Sequence, residues 1–116
     1  MNVHVYGIPS CTTVRKSLKW LEAQDVEHEF TPFAKAPDLA TSLREWIKIA
    51  GQDKVMNARA ATFRALPEQD QAKMQADVDF AIAQMVDDPR LIKRPVLVAG
   101  GKIATGFKEA EWRATL

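Results

Sequence analysis

The chain opens with a strand, a helix and a second strand, and that order restricts its fold more than any other feature. Val3, Val5 and Tyr6 favour a strand over Val3–Tyr6, which Gly7 and Pro9 close. From Thr12 to Gln24, Val14, Leu18 and Leu21 recur at helical spacing, while Arg15, Lys16, Lys19 and Glu22 take the other face. Val26–Phe30 then alternates, with Val26, His28 and Phe30 on one side and Glu27 and Glu29 on the other. Two strands joined through a helix pair in parallel, because parallel neighbours need a crossover. Near the other end, Arg94–Ala99 reads as a proline-led strand, Gly100-Gly101 as a two-residue hairpin turn, and Lys102–Thr105 as the returning strand. That pair is antiparallel. Both pairs fit one mixed four-stranded sheet of the α/β class.

The middle of the chain is helical in pattern. Pro37 and Asp38 open a helix whose stripe is Leu39, Leu43, Trp46, Ile47 and Ala50, and Gly51 stops it. Ala58–Leu66 is a short helix. Pro67 and Glu68 start another, with Met74, Val78, Ala81, Ile82 and Met85 on one face, ended by Asp87, Asp88 and Pro89. A last helix covers Lys108–Thr115. The expectation is a single domain, 1–116, carrying an inserted helical lobe at about 37–88. A length of 116 residues is one domain's worth of chain.

Sixteen Lys and Arg against fifteen Asp and Glu leave a formal charge of +1. Such a balance gives no basic field for binding nucleic acid or a membrane surface. No stretch approaches the roughly 20 apolar residues of a membrane span. The start, MNVHVYGIPSC, does not read as a signal peptide. One cysteine excludes a disulfide within the chain and a cysteine-rich zinc site, and a lone reduced thiol suits the cytoplasm. His4 and His28 lack metal-ligand spacing to each other or to the cysteine, so no metal is expected.

That cysteine, Cys11, stands where the first strand and loop give way to the first helix. Helix N-termini present unpaired N–H groups and favour an anion, which lowers a thiol's pKa. Thr12 and Thr13 offer hydroxyls, and Arg15 and Lys16 add nearby positive charge. A free cysteine is also commonly a small buried apolar residue, and the residues alone leave both readings open. Arg94 before Pro95 is either a surface arginine or a planar fork for an oxyanion at the sheet end. Arg59 and Arg64 are five apart, so they point in different directions. There is no Gly-rich phosphate loop.

The opening YGIPSCTTVRKSLKWL, the segment VMNARAATFRAL and the later LIKRPVLVAGGKIATGF resemble the arsenate reductase-like family of the thioredoxin superfamily. That family includes glutaredoxin-coupled arsenate reductases, Spx regulators and YffB proteins, and the wording of TTVRKSLKWL and NARAATFR is closest to the YffB branch. The resemblance implies a thioredoxin-like fold with Cys11 as nucleophile and Pro95 as the cis-proline facing it. It implies that two of three oxyanion-binding arginines carry over, as Arg64 and Arg94. The third falls near Gly106, where no arginine stands, which weakens an arsenate substrate. The run Cys11-Thr12-Thr13-Val14 also lacks the second cysteine of a CxxC switch.

The expected function is therefore a glutathione- or glutaredoxin-dependent thiol reductase. Cys11 is catalytic, and Arg64, Arg94, Thr12, Thr13 and Pro95 bind substrate. No cofactor is held, and glutathione is the co-substrate. The alternative is an Spx-like adaptor that binds RNA polymerase or another protein without redox chemistry.

Overall fold

The computed structural model describes residues 2–116. Four strands form one sheet in the order β2-β1-β3-β4. They are β1 (Val3–Gly7), β2 (Glu29–Pro32), β3 (Val96–Ala99) and β4 (Lys102–Thr105). β1 pairs with β2 in parallel, Val5 opposite Phe30. β1 with β3, and β3 with β4, are antiparallel. The crossover from β1 to β2 is helix α1 (Thr12–Ala23). This is the expected mixed four-stranded sheet of the α/β class.

The chain divides into two compact units: a sheet unit ending at Ala36 and resuming at Arg94, and a helical unit, Pro37–Lys93. In the sheet unit, Val3, Val5, Leu97, Ala99 and Ala104 gather with Leu21 of α1 and Trp112 into one buried cluster. Trp112 lies on α7 (Glu109–Thr115) and is fully buried. Its indole N–H donates to the Gly106 carbonyl at 2.9 Å. Trp20 and Phe107 meet it edge-on, the geometry aromatic rings prefer.

The second strand differs from its expected span of Val26–Phe30. Asp25 adopts a left-handed φ of 56°, and the Val26 N–H returns to the Leu21 carbonyl at 3.0 Å. Val26–His28 is thus spent on leaving α1, and the strand starts at Glu29. The proline-led strand likewise begins at Val96 rather than Arg94.

The helical unit contains α2 (Leu39–Ala50), α3 (Gln52–Val55), α4 (Ala61–Arg64), α5 (Glu68–Ala76) and α6 (Val78–Asp87). Pro37 lies outside α2; Asp38 caps it, accepting from the Thr41 N–H at 3.2 Å and its hydroxyl at 2.7 Å. The single helix expected after Pro67 is two. Asp77 leaves the helical region at φ −127° and ψ 106°, and its carboxylate accepts from the Phe80 N–H. The shared stripe survives the break, with Met74, Ala81, Ile82 and Met85 buried. α4 is shorter than Ala58–Leu66 because Asn57 turns the chain, its carbonyl accepting from Ala60 and its side chain from Arg59 N–H. The unit runs on past a 3-10 turn at Pro89–Leu91 to Lys93, whose N–H donates to the Val55 carbonyl at 2.7 Å. Among the described residues no helix is long and apolar enough to cross a membrane.

Candidate functional site

Cys11 is the N-cap of α1, in extended backbone at φ −74° and ψ 127°. Its N–H donates to the Ile8 carbonyl and its carbonyl accepts from Arg15 N–H, both at 3.0 Å. The loop 8–11 is thereby closed on itself and joined to the first helical turn. The sulfur is a free thiol, half-buried at this turn.

Partial burial pushes the thiol pKa up, since it penalises the thiolate. Backbone N–H groups of Val14 and Thr13 and the Arg94 guanidinium pull it down, and together they prevail. The net position is below the ordinary cysteine value. The neutral side chain closes no cap hydrogen bond. Once ionised, it becomes the acceptor those two N–H groups otherwise lack.

Arg94 comes from the other end of the sheet unit. It immediately precedes β3, and the Arg94–Pro95 bond is cis. Pro95 is buried, and its carbonyl accepts from the Gly106 N–H at 2.9 Å. The structure thus brings Cys11 and Arg94 together. Thr13 contributes its backbone N–H, whereas hydroxyls were expected from both threonines; the Thr12 and Thr13 side chains are exposed.

The positive charge expected from Arg15 and Lys16 is not what acts on the sulfur. Arg15 turns back along the loop, its Nε donating to the Pro9 carbonyl at 3.2 Å, and the charge that lowers the thiol is Arg94's. Arg64 ends α4 in the helical unit with its side chain exposed. Gly106 holds a φ of 74° and is bonded on both sides, to Pro95 and Trp112, so its backbone suits glycine rather than arginine.

The histidines sit elsewhere in the sheet unit. His4 Nε2 lies 2.6 Å from the Thr31 hydroxyl, and its ring stacks on Tyr6. Burial lowers its pKa and Glu29 opposes that. His28 Nδ1 lies 2.9 Å from the Val26 carbonyl. Among the described residues no group of three or more His, Cys, Asp or Glu is placed to hold a metal.

Sequence reasoning missed Val14, read only as a core residue, although it fills the third helical position after the cap. Ncap side chains accept from the second or third N–H of a helix, so counting from Cys11 would have found both Thr13 and Val14.

The ArsC family model matches residues 6–115. An uncharacterised protein of Haemophilus influenzae is 36% identical over 112 residues, covering 97% of this chain and 96% of that protein. A solved YffB protein structure superposes with a TM-score of 0.88 at 35% identity, covering 99% of both chains. The global transcriptional regulator Spx of Listeria innocua is 26% identical over 121 residues, covering 98% of this chain and 86% of the regulator.

Proposed function

Since the chain belongs to the ArsC family, we propose that it is a thiol reductase in which Cys11 is the single nucleophile and glutathione, free or through glutaredoxin, is the co-substrate. The observation that carries this reading is the setting of the sulfur. It is accessible, held below its ordinary pKa by two N–H groups and Arg94, and has no second cysteine to resolve what it forms. Thiolates, not thiols, attack disulfides.

The chemistry runs in two balanced steps. The Cys11 thiolate attacks the glutathione sulfur of a mixed disulfide; a Cys11–glutathione disulfide forms, and the substrate leaves as a thiolate that takes a proton. A second glutathione thiolate then attacks the glutathione sulfur on Cys11. Cys11 is restored as a thiolate and oxidised glutathione departs, carrying the two electrons' worth of oxidation. Arg94 stabilises the sulfur anion at the start and end of the cycle. Arg94 binds a carboxylate of glutathione, with the exposed Thr12 and Thr13 beside it. A glutathione-fed thiol suits the reducing cytoplasm.

The test is incubation with oxidised glutathione followed by intact mass measurement. One glutathione adduct on Cys11, released by reduced glutathione and absent in Cys11→Ser, is expected. A parental protein that stays unmodified over hours at neutral pH sinks the reading. Arsenate reduction with glutathione and glutaredoxin tests the narrower substrate, and Gly106 in place of a third arginine argues for low activity there.

The likeness to Spx over nearly the whole chain supports a second reading, an adaptor that binds RNA polymerase or another protein. A net charge of +1 argues against direct nucleic-acid binding. Retention on RNA polymerase that is indifferent to Cys11→Ser would favour the adaptor.

A further inference from the structure

Gly7 ends β1 and is buried. A Cβ built on it would stand 2.8 Å from Val14 Cγ2 and 3.2 Å from Cγ1. Real Cβ atoms do not tolerate the shorter of these. Val14 cannot swing aside, because a β-branched side chain in a helix has one strongly preferred rotamer and this one is fully buried. The strand end and the first turn of α1 therefore approach as closely as they do only because position 7 carries no side chain.

Val14 is tied into the helix on its other side as well. Its carbonyl accepts from the buried Ser17 hydroxyl at 2.6 Å. Displacing the Val14 side chain thus moves the backbone of the first turn, including the N–H groups that serve the sulfur.

We infer that Gly7 and Val14 form a positioning pair for Cys11: the missing side chain at 7 seats the first turn of α1 at the depth where the Val14 N–H meets the sulfur. Gly7 acts on the sulfur through Val14, whose side chain holds the atoms nearest its missing Cβ. The pair deepens the reading of Cys11 as a working thiolate, but it is measurable without any substrate.

The experiment titrates the rate of Cys11 alkylation by iodoacetamide against pH. In Gly7→Ala the midpoint should move up and the rate at neutral pH should fall several-fold. In Gly7→Ala/Val14→Ala, which removes both methyl groups facing the new one, the midpoint and rate should return toward the parent. A structural role alone would lower stability without this rescue of the titration. A folded Gly7→Ala with the parental titration overturns the pair. Should Gly7→Ala fail to fold, the double variant decides: folded with a parental titration, it supports the pair; unfolded, or folded with a raised midpoint, it overturns it. A parent that titrates low yet takes up no glutathione would defeat the reductase reading and leave the pair intact.

Discussion

Helices α1 and α6 begin differently. α6 starts on Asp77 and α2 on Asp38, each with a carboxylate accepting from an N–H of the first turn. Asp88 does the same for the 3-10 turn that follows α6, accepting from the Arg90 N–H. These satisfy groups that a helix start otherwise leaves open. α1 starts on Cys11 with no such bond. α3, α4, α5 and α7 also start without a side-chain cap, but among these uncapped starts only Cys11 carries a thiol that can ionise and accept from the first-turn N–H groups.

Arg94→Ala should have the largest effect on this contrast. It removes the charge that helps Val14 and Thr13 offset burial. Alkylation of Cys11 at neutral pH should slow on the order of tenfold, the size of one charge-assisted hydrogen bond, and the midpoint should rise. An unchanged midpoint would mean that the helix start acts alone.

Asp77→Ala comes next. Loss of a helix cap costs about 1 kcal/mol, and urea unfolding should show it, while the Cys11 titration stays put. A coupled change in both would erase the separation drawn here.

Cys11→Asp gives α1 the same start as its counterparts. It should end thiol chemistry and raise stability by about 0.5 kcal/mol, the lower end of a cap's worth. A loss of stability would show that the first turn rejects a carboxylate.

The smallest effects are in the pH dependence of stability. The Thr41 hydroxyl and then its N–H hold the Asp38 carboxyl below its ordinary pKa. Its contribution is present above the unfolded carboxyl pKa and is lost as pH falls through the folded one. Asp38→Asn should flatten the acid limb of a urea-midpoint profile. Cys11 has the same sign in a higher window: its folded pKa is depressed, so the parent should gain on Cys11→Ser as pH rises toward the unfolded thiol pKa.

The sheet was legible because strand alternation and Gly100-Gly101 are local signals. β2 slipped because Asp25 and the Val26 bond to Leu21 extend the exit from α1, a cost in residues that alternation cannot reveal. The break at Asp77 hid inside a continuous apolar stripe, although an aspartate three residues before Phe80 is a cap pattern. Cys11 was legible from its place between strand and helix. Its partners were less so: nearness along the chain favoured Arg15 and Lys16, whereas Arg94 arrives from just before β3, distant in sequence. A cis Arg94–Pro95 bond followed only from the family resemblance, since X–Pro bonds are cis in only about 5–6% of cases. The closeness of Gly7 and Val14 belongs to packing between elements and leaves no local trace.

The sheet unit is assembled from both ends of the chain, with Pro37–Lys93 made in between. On the ribosome, β1 and Cys11 emerge first, yet β3 and Arg94 follow only after the whole helical stretch has been translated. The helical unit is contiguous and has its own buried residues, so it is free to fold while the sheet still lacks its centre; domains commonly fold as units during synthesis. Until Arg94 is added, the nascent thiol lacks the guanidinium that helps to lower its pKa.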